Sequence, residues 1–229
     1  MLDQILSYRQ MCDDENMQTL QRGMNYRLNH DYSVILMSRR SNAPYSDAIL
    51  SDGITIEYEG HDQAKSLIYP DPKSVDQPRH TTTGNITQNG RFIEAIEKYK
   101  SGKAAPELVK IYEKILAGVW SFKGFFNLID YKTKFDGKRN VFKFILRLTG
   151  GPDITPDQEV DFSHTRLIPS DIKKEVWKRD EGRCVLCGSN INLHFDHDVP
   201  FSKGGSSLTP KNIRLLCAKC NLRKSDKIE

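Results

Sequence analysis

Short apolar runs cut by turn residues make up most of the first 150 positions, and they predict strands. Ser33-Val34-Ile35-Leu36-Met37-Ser38 lies between polar flanks and reads as a buried strand. Ile54-Thr55-Ile56-Glu57-Tyr58 alternates after a turn at Asp52-Gly53. Asn140 to Leu148 alternates over its whole length. Joined through Asp136-Gly137-Lys138 to the run Phe125 to Tyr131, it predicts a β-hairpin. Upstream, Pro106 to Ile115 is strand-like, and Gly118 to Gly124 reads as a turn into Phe125. Helical spacing is rarer. It appears at Leu2, Ile5, Leu6 and Tyr8 within residues 1–30, broken at Gly23, and as a short amphipathic helix from Phe92 to Lys100. Residues 59–91, rich in Asp, Pro, Thr, Gly and His, show little periodicity and predict a long irregular loop region, a kind of segment that often carries function.

The pattern changes near residue 150. Residues 150–165 hold two Gly, two Pro and four acids among few apolar positions, which predicts a linker. Pro169-Ser170-Asp171 then opens a helix that Ser170 or Asp171 can cap, with Ile172, Val176 and Trp177 on one side. The expected organisation is an α+β protein with a domain over 1–150, a linker over 151–167 and a small module over 168–229. A chain of 229 residues has room for one large domain or two modest ones.

Composition narrows the class. Charged residues make up 28% and hydrophobic ones 38%, a globular balance. No apolar run of about eighteen residues exists to span a bilayer, and the opening MLDQILSYRQ has no basic region followed by an apolar core. A cytoplasmic protein with no membrane partner is the expectation. From Ile168 onward there are twelve Lys or Arg against eight Asp or Glu, whereas residues 1–167 are balanced at 22 of each. The basic surplus therefore sits in the C-terminal quarter, where it suits a polyanionic partner.

Four of the five cysteines form two CxxC pairs, Cys184/Cys187 and Cys217/Cys220, separated by 29 residues. In an intracellular chain this favours a metal over disulfides. Two such knuckles close a four-thiolate tetrahedral site with no open position, as structural Zn²⁺ requires. A module of this size needs such a staple because its apolar core is small. Cys12 reads as an ordinary buried thiol. Between the knuckles lie Asp196-His197, the turn residues Gly204-Gly205, Asn212 and Asn221. A purely structural zinc module has no need of an Asp-His pair before a Gly-Gly turn; a phosphodiesterase does.

From Ile168 to Lys227 these residues resemble the HNH endonucleases of the ββα-metal type with a four-cysteine zinc site. The resemblance implies His197 as general base and Asn212 as the residue that holds the hairpin and aims it. Asp196 and Asn221 are implied as ligands of a catalytic Mg²⁺, replaceable by Mn²⁺ or Ni²⁺. Asn221 stands where the family has His or Asn; a single carboxylate plus an amide makes a weak site. Lys203, Arg223 and Lys224 are candidate DNA-phosphate contacts, with Arg179, Arg183 and Lys219 as further basic residues of the module. His194 reads as a surface histidine and Trp177 as core.

The front domain carries a second resemblance. Ala43-Pro44-Tyr45-Ser46-Asp47, then Asp52-Gly53 and Tyr58-Glu59-Gly60, is similar to the signature of SRA domains, which flip a methylated cytosine out of duplex DNA. The segments Val109 to Tyr112, Trp120 to Gly124, Ile129 to Tyr131 and Val141 to Arg147 are similar to that family's later strands. The implied fold is an SRA-like (PUA-like) twisted β-barrel or sheet with helices, followed by the ββα-metal zinc module. The implied modified-base pocket has Tyr58 stacking on the base, Tyr45 lining it and Asp47 accepting the cytosine amine. Glu59 departs from the usual Thr of that signature.

Together the resemblances imply a modification-dependent restriction endonuclease that hydrolyses double-stranded DNA near 5-methylcytosine or 5-hydroxymethylcytosine. Two other readings stay open: an HNH nuclease directed by sequence or DNA structure, and a non-catalytic zinc-knuckle binder of nucleic acid. One HNH site cuts one strand, so double-strand cleavage calls for a homodimer or two visits.

Overall fold

The computed structural model describes residues 3–28, 30–41, 43–150, 167–199 and 203–224. An eight-stranded sheet dominates. Its strands are β1 (Ile5–Leu6), β2 (Met24–Asn25), β3 (Ser33–Met37), β4 (Ala48–Ile49), β5 (Thr55–Glu59), β6 (Glu107–Leu116), β7 (Val119–Phe135) and β8 (Asn140–Thr149). The order is β2-β3-β6-β7-β8-β5-β4, with β1 added beside the start of β7. Among the described residues, the β3–β6 pairing is parallel and the other pairings of this sheet are antiparallel. Helix α1 (Tyr8–Asp14) covers one part of the sheet and α2 (Gln88–Lys100) another. Phe92, Ile93 and Ile96 of α2 close the main core over Ile35, Ile56, Val109 and Phe144. Met11 and Cys12 of α1 bury a second cluster with Leu20 and Trp120. The chain is thus α+β, as its pattern predicts, and no helix among the described residues is long and apolar enough to cross a membrane.

Three places differ from the periodicity. The helical spacing read at Ile5, Leu6 and Tyr8 falls first on strand β1, and helix α1 begins only at Tyr8, after the Ser7 cap. Helix α2 begins at Gln88, not Phe92, because Thr87 caps it by accepting from the Gly90 N–H at 3.1 Å. Its polar first turn is used for anchoring: Gln88 takes the Tyr26 N–H and Asn89 takes the His61 N–H, each at 2.8 Å. The predicted turn at Gly118 to Gly124 is instead mostly the first part of β7. The ladder passes from Ile111↔Gly124 to Tyr112↔Phe122, so Lys123 is the extra residue of a β-bulge, with Gly124 at positive φ. A bulge re-aims a side chain, and Lys123 is completely buried.

The irregular region after β5 is pinned from the β7–β8 hairpin. The guanidinium of Arg139, 2% exposed, holds Asp62 and donates to the Pro72 carbonyl at 2.6 Å. Gln77 acts as a substitute strand residue, donating to the Gly60 carbonyl at 2.6 Å and accepting from the Phe142 N–H at 2.8 Å.

The C-terminal part comprises α3 (Ser170–Arg179), β9 (Leu193–His197), β10 (Ile213–Cys217) and α4 (Ala218–Lys224), with its own core around Val176, Phe195 and Leu215. The linker expected over 151–167 lies outside the described residues except for Leu167, which is buried in the main core. The two sheets are sewn together by the first residues of the chain. Gln4 bridges His194, Asp3 accepts the Phe195 N–H at 3.1 Å and donates to the Phe122 carbonyl at 2.8 Å, and Ile5–Leu6 pair with β7. His194, expected at the surface, is 4% exposed beneath this segment.

A buried charge network fills the junction. Glu113 on β6 accepts from Lys123 at 2.8 Å and from the Ser170 hydroxyl, and Lys173 of α3 lies 3.8 Å away. Lys173 also pairs with Asp3 and donates to Ser121 at 2.8 Å. Ser170 is therefore not a helix cap; α3 starts after Pro169 without a side-chain cap. Burial opposes the charge on Glu113, but Lys123 and Lys173 outweigh it and hold the carboxyl down to about 2. Burial dominates at Lys123 and pulls its ammonium below the usual lysine value. Glu113 thus contributes its stability above the unfolded carboxyl value and loses it only as pH falls through about 2. Replacing Lys123 by Met leaves a buried carboxylate short of a partner, and should cost about 3–5 kcal/mol in unfolding free energy. A thermal or urea melt unchanged from the parent would show that the network adds nothing.

Candidate functional site

Strands β9 and β10 form an antiparallel pair whose register sets His197 opposite Ile213 and Asp196 opposite Arg214. Helix α4 follows β10 without a break, completing a ββα unit. Asn212 clamps the long connection between the strands. It accepts the Val199 N–H at 2.8 Å and donates to the Val199 and Ser206 carbonyls at 3.0 and 3.1 Å. A β-carbon at Gly205 would lie 1.8 Å from the Val199 carbonyl oxygen, so only glycine allows this approach. The clamp fixes the chain two residues after His197.

The His197 Nε2 lies 2.8 Å from the Ser207 hydroxyl. Burial lowers its imidazole below the ordinary histidine value, against the raising influence of Asp3 and Asp196 and with Lys224 acting in the same direction as burial. The ring is neutral at pH 7, the form in which it can accept a proton. Lys224 is a correction to the sequence reading. Its side chain is 1% exposed, and its ammonium donates to Asp196 Oδ2 at 2.6 Å and to the His197 carbonyl. It braces the Asp196-His197 strand end from inside and does not face outward to a phosphate. Arg179 is exposed but engaged within the module, bonded to Asp180 and to the Pro210 and Ile213 carbonyls. Lys203, Lys219 and Arg223 are exposed.

The thiols of Cys184, Cys187, Cys217 and Cys220 all lie within 4.8 Å of one another. Cys187 and Cys217 have their sulfurs 3.6 Å apart. That is close to the edge of a tetrahedron with metal–sulfur bonds of about 2.3 Å, which is about 3.8 Å. The cluster therefore fits a closed tetrahedral metal site. Burial works against ionisation of Cys184, but the Cys217, Leu186 and Cys187 N–H groups bring its thiol down to about 7. Burial and the neighbouring thiols push Cys220 up to about 12. A cation is what allows all four to ionise together.

A catalytic cation would find a smaller donor set. Asn221 lies on α4 three residues before Lys224, whose ammonium reaches Asp196. Among the described residues, only the four cysteines bring three or more His, Cys, Asp or Glu ligand atoms together. One carboxylate and one amide suit Mg²⁺, which keeps several waters and binds through few carboxylates plus substrate phosphate oxygens.

In the large sheet, Tyr45, Asp47 and Tyr58 line one cavity of about 460 Å³. Asp47 is a clasp in its wall. It accepts the Ser38 N–H at 3.2 Å and the Glu59 N–H at 3.0 Å, joining the ends of β3 and β5 where the sheet curls round. Burial outweighs these bonds and the Lys143 charge, pushing the Asp47 carboxyl up to about 7. Tyr58 is 1% exposed, so only a group that enters the cavity can meet it. A β-carbon at Gly23 would stand 2.6 Å from the Tyr58 hydroxyl and 2.9 Å from His61 Nε2, so a larger residue there would displace both side-chain ends.

The structure adds residues that spacing cannot reveal. His61 stacks on Tyr45 with ring centroids 6.0 Å apart, and its backbone is held from both sides by Asn89. Burial brings His61 down to about 4, so it stands as a neutral ring. Lys73 lies over Tyr45 at 4.2 Å. Glu59, the departure from the SRA signature, accepts from Lys143 at 2.9 Å and from the Ser46 N–H at 3.1 Å. It thereby fastens the Tyr45–Asp47 corner to β5 and β8. The only hint in the sequence was an opposite charge inside each of two apolar alternations.

Residues 184–227 match the HNH endonuclease family. A comparison with curated proteins finds no match. Among solved structures, the chain is similar to the SRA domain of SUVH5 in complex with hemi-methylated CG DNA, at 19% identity over 66% of this chain and 92% of that one, with a TM-score of 0.43. It is similar to the same domain bound to fully hydroxymethylated CG DNA, at 20% identity over 66% and 90%, TM-score 0.44. It is also similar to ScoMcrA, a Type IV phosphorothioation-dependent restriction endonuclease, at 16% identity over 98% of this chain and 55% of that one, TM-score 0.44.

Proposed function

We propose that this protein is a modification-dependent DNA endonuclease. In this reading, residues 1–150 form an SRA-like reader of 5-methylcytosine or 5-hydroxymethylcytosine, 151–167 a linker and 168–229 an HNH nuclease. The observation that carries the reading is the ββα unit: a neutral His197 beside Asp196, on a hairpin clamped by Asn212 and rooted in four convergent thiols. The family match over this segment supports a nuclease.

His197 acts as general base, taking the proton of the attacking water. Asn212 keeps it aimed. The four cysteines would hold Zn²⁺, which would tie the end of β10 and the start of α4 to the Cys184–Cys187 turn. Asp196 and Asn221 hold Mg²⁺ or Mn²⁺, which when bound supplies charge stabilisation to the scissile phosphate and its leaving oxygen. Lys203 and Arg223 meet the DNA backbone. In the reader, the Asp47 carboxylate accepts the exocyclic amine of a flipped cytosine, and Tyr45 and Tyr58 wall the base.

The test is cleavage of one duplex prepared in plain, 5-methylcytosine and 5-hydroxymethylcytosine forms with Mg²⁺ or Mn²⁺. Recognition through one buried methyl should give roughly 10–200-fold preference over the plain duplex, with leakage at high enzyme concentration. Equal cutting of all three forms would remove the reader and leave the nuclease. No cutting under any condition would favour a zinc-knuckle binder.

A further inference from the structure

Asp3 commits its N–H, its carbonyl and its carboxylate to the junction between the two sheets. The N–H donates to the Phe122 carbonyl on β7 at 2.8 Å, and the carbonyl accepts the Phe195 N–H of β9 at 3.1 Å. The carboxylate holds Lys173 of α3 and accepts from the Ser121 hydroxyl of β7 at 3.5 Å. The residue is 7% exposed. It turns the chain at a φ of 58°, in the left-handed region that aspartate and asparagine enter more readily than most residues with a β-carbon. Its neighbours continue the division. Gln4 bridges His194 and accepts the Phe122 N–H at 2.8 Å. Ile5 packs on the C-terminal core, and Leu6 lies in the cluster with Trp120. Successive side chains of a strand face opposite ways, so this one short segment is rooted in both cores.

The placement bears on His197. The edge of a strand is fixed only by what pairs with it. Strand β10 holds one edge of β9, and residues 3 and 4 hold the other at His194 and Phe195. Beyond the strand, the Asn212 clamp takes hold at Val199. His197 stands between these fixings, two residues after Phe195 and two before Val199. The clamp belongs to the hairpin itself and moves with it. The hold at Phe195 is anchored outside the hairpin, on β7 and α3. A shift of about 1 Å at a reacting group can cost about 10²-fold in rate, even when its cause lies far from the chemistry. The Asp3 charge also acts on the imidazole, and substitution can separate that influence from placement.

Resting on the nuclease proposed above, we infer that Asp3 is a positioning residue for the cleavage reaction. With Gln4 it supplies the outer pairing of the His197 strand and fixes that strand on β7 and α3. The nuclease site is therefore completed by residues that lie outside the 168–229 segment, at the far end of the sequence.

The experiment measures kcat and KM of the full chain, as parent, Asp3→Ala and Asp3→Asn, with Mg²⁺ or Mn²⁺ on whichever of the three duplex forms the parent cuts fastest. Zinc content and melting temperature are recorded for each. Asparagine keeps the left-handed turn and an acceptor for Lys173 but loses the charge, whereas alanine suits neither the turn nor the lysine. Asp3→Ala should lower kcat by about 10–10²-fold. KM and zinc content should hold, since Lys203 and Arg223, assigned to the DNA backbone, lie outside its contacts. Asp3→Asn should keep most of the parent kcat. Parent kcat in Asp3→Ala overturns the inference and leaves the nuclease standing. Equal losses in the two variants overturn it as well, because charge and not strand placement is then what matters. A fall in kcat matched by loss of zinc, or by melting below the assay temperature, makes Asp3 a stabilising residue only and likewise overturns it. No cleavage by the parent overturns the nuclease reading, and the inference with it.

Discussion

Replacing His197 by alanine or asparagine is expected to lower DNA cleavage by about 10²–10⁴-fold, the usual worth of a positioned general base. Asparagine is the informative partner because it keeps a polar atom for the buried Ser207 hydroxyl, 2.8 Å from the parent ring. The two variants should fall together if proton transfer is what is lost. The pH profile is a second readout. A base must be neutral, and burial already holds His197 below the ordinary value of 6.5. Parent activity should therefore stay level from pH 8 to 7 and fall only below 6.5, as the imidazole takes its proton. Cleavage unchanged in both variants would sink the assigned mechanism, and the Asp196-His197 pair would then be structural.

Removing the metal from the four-cysteine cluster should have the largest effect on stability. Structural Zn²⁺ contributes apparent binding energies of about 10–16 kcal/mol in small zinc modules, far more than a module of this size can obtain from its apolar core. Cys184 and Cys217 are themselves members of that core, packed beside Phe195 and Leu216. Replacing Cys217 or Cys220 by serine should release about one zinc per chain, measured by elemental analysis. Residues 168–224 should become protease-sensitive while the large sheet resists. The order of events matters, because the junction network ties α3 to β6 and β7. Loss of the module should also expose Glu113 and Lys123, so the large sheet should melt earlier than in the parent. Purified protein without zinc, or a serine variant that melts and digests like the parent, would remove the structural role given to the cluster.

Glu59 shows how a departure from a familiar signature can be absorbed. An acid at this position, 6% exposed, carries a charge that would be costly to bury without a partner. Lys143, directly across the β5–β8 pair, neutralises it. The pair also holds Ser46, so the corner carrying Tyr45 and Asp47 is fastened by charge.

Local chemistry was legible from the sequence alone. The two CxxC pairs predicted a metal cluster, and the four thiols converge. Alternation and the Asp136–Lys138 turn predicted the β7–β8 hairpin, whose turn is closed by Asp136 accepting from Lys138 and Arg139. The resemblance to SRA domains implied that Tyr45, Asp47 and Tyr58 lie together, and they line one cavity. These features depend on neighbours within a few residues or on fixed ligand spacing, which a linear pattern records.

Only the tertiary structure decided which charges are buried. Lys123 read as a polar turn residue until the bulge at Gly124 turned it inward. Lys224 read as a surface cation until α4 laid it against Asp196. Asp3 and Lys173 are 170 positions apart and meet only because the first residues of the chain run between both sheets. A lysine or aspartate carries the same letter in water or in a core; what differs is the partner folded against it, and a buried charge persists only where long-range packing supplies one.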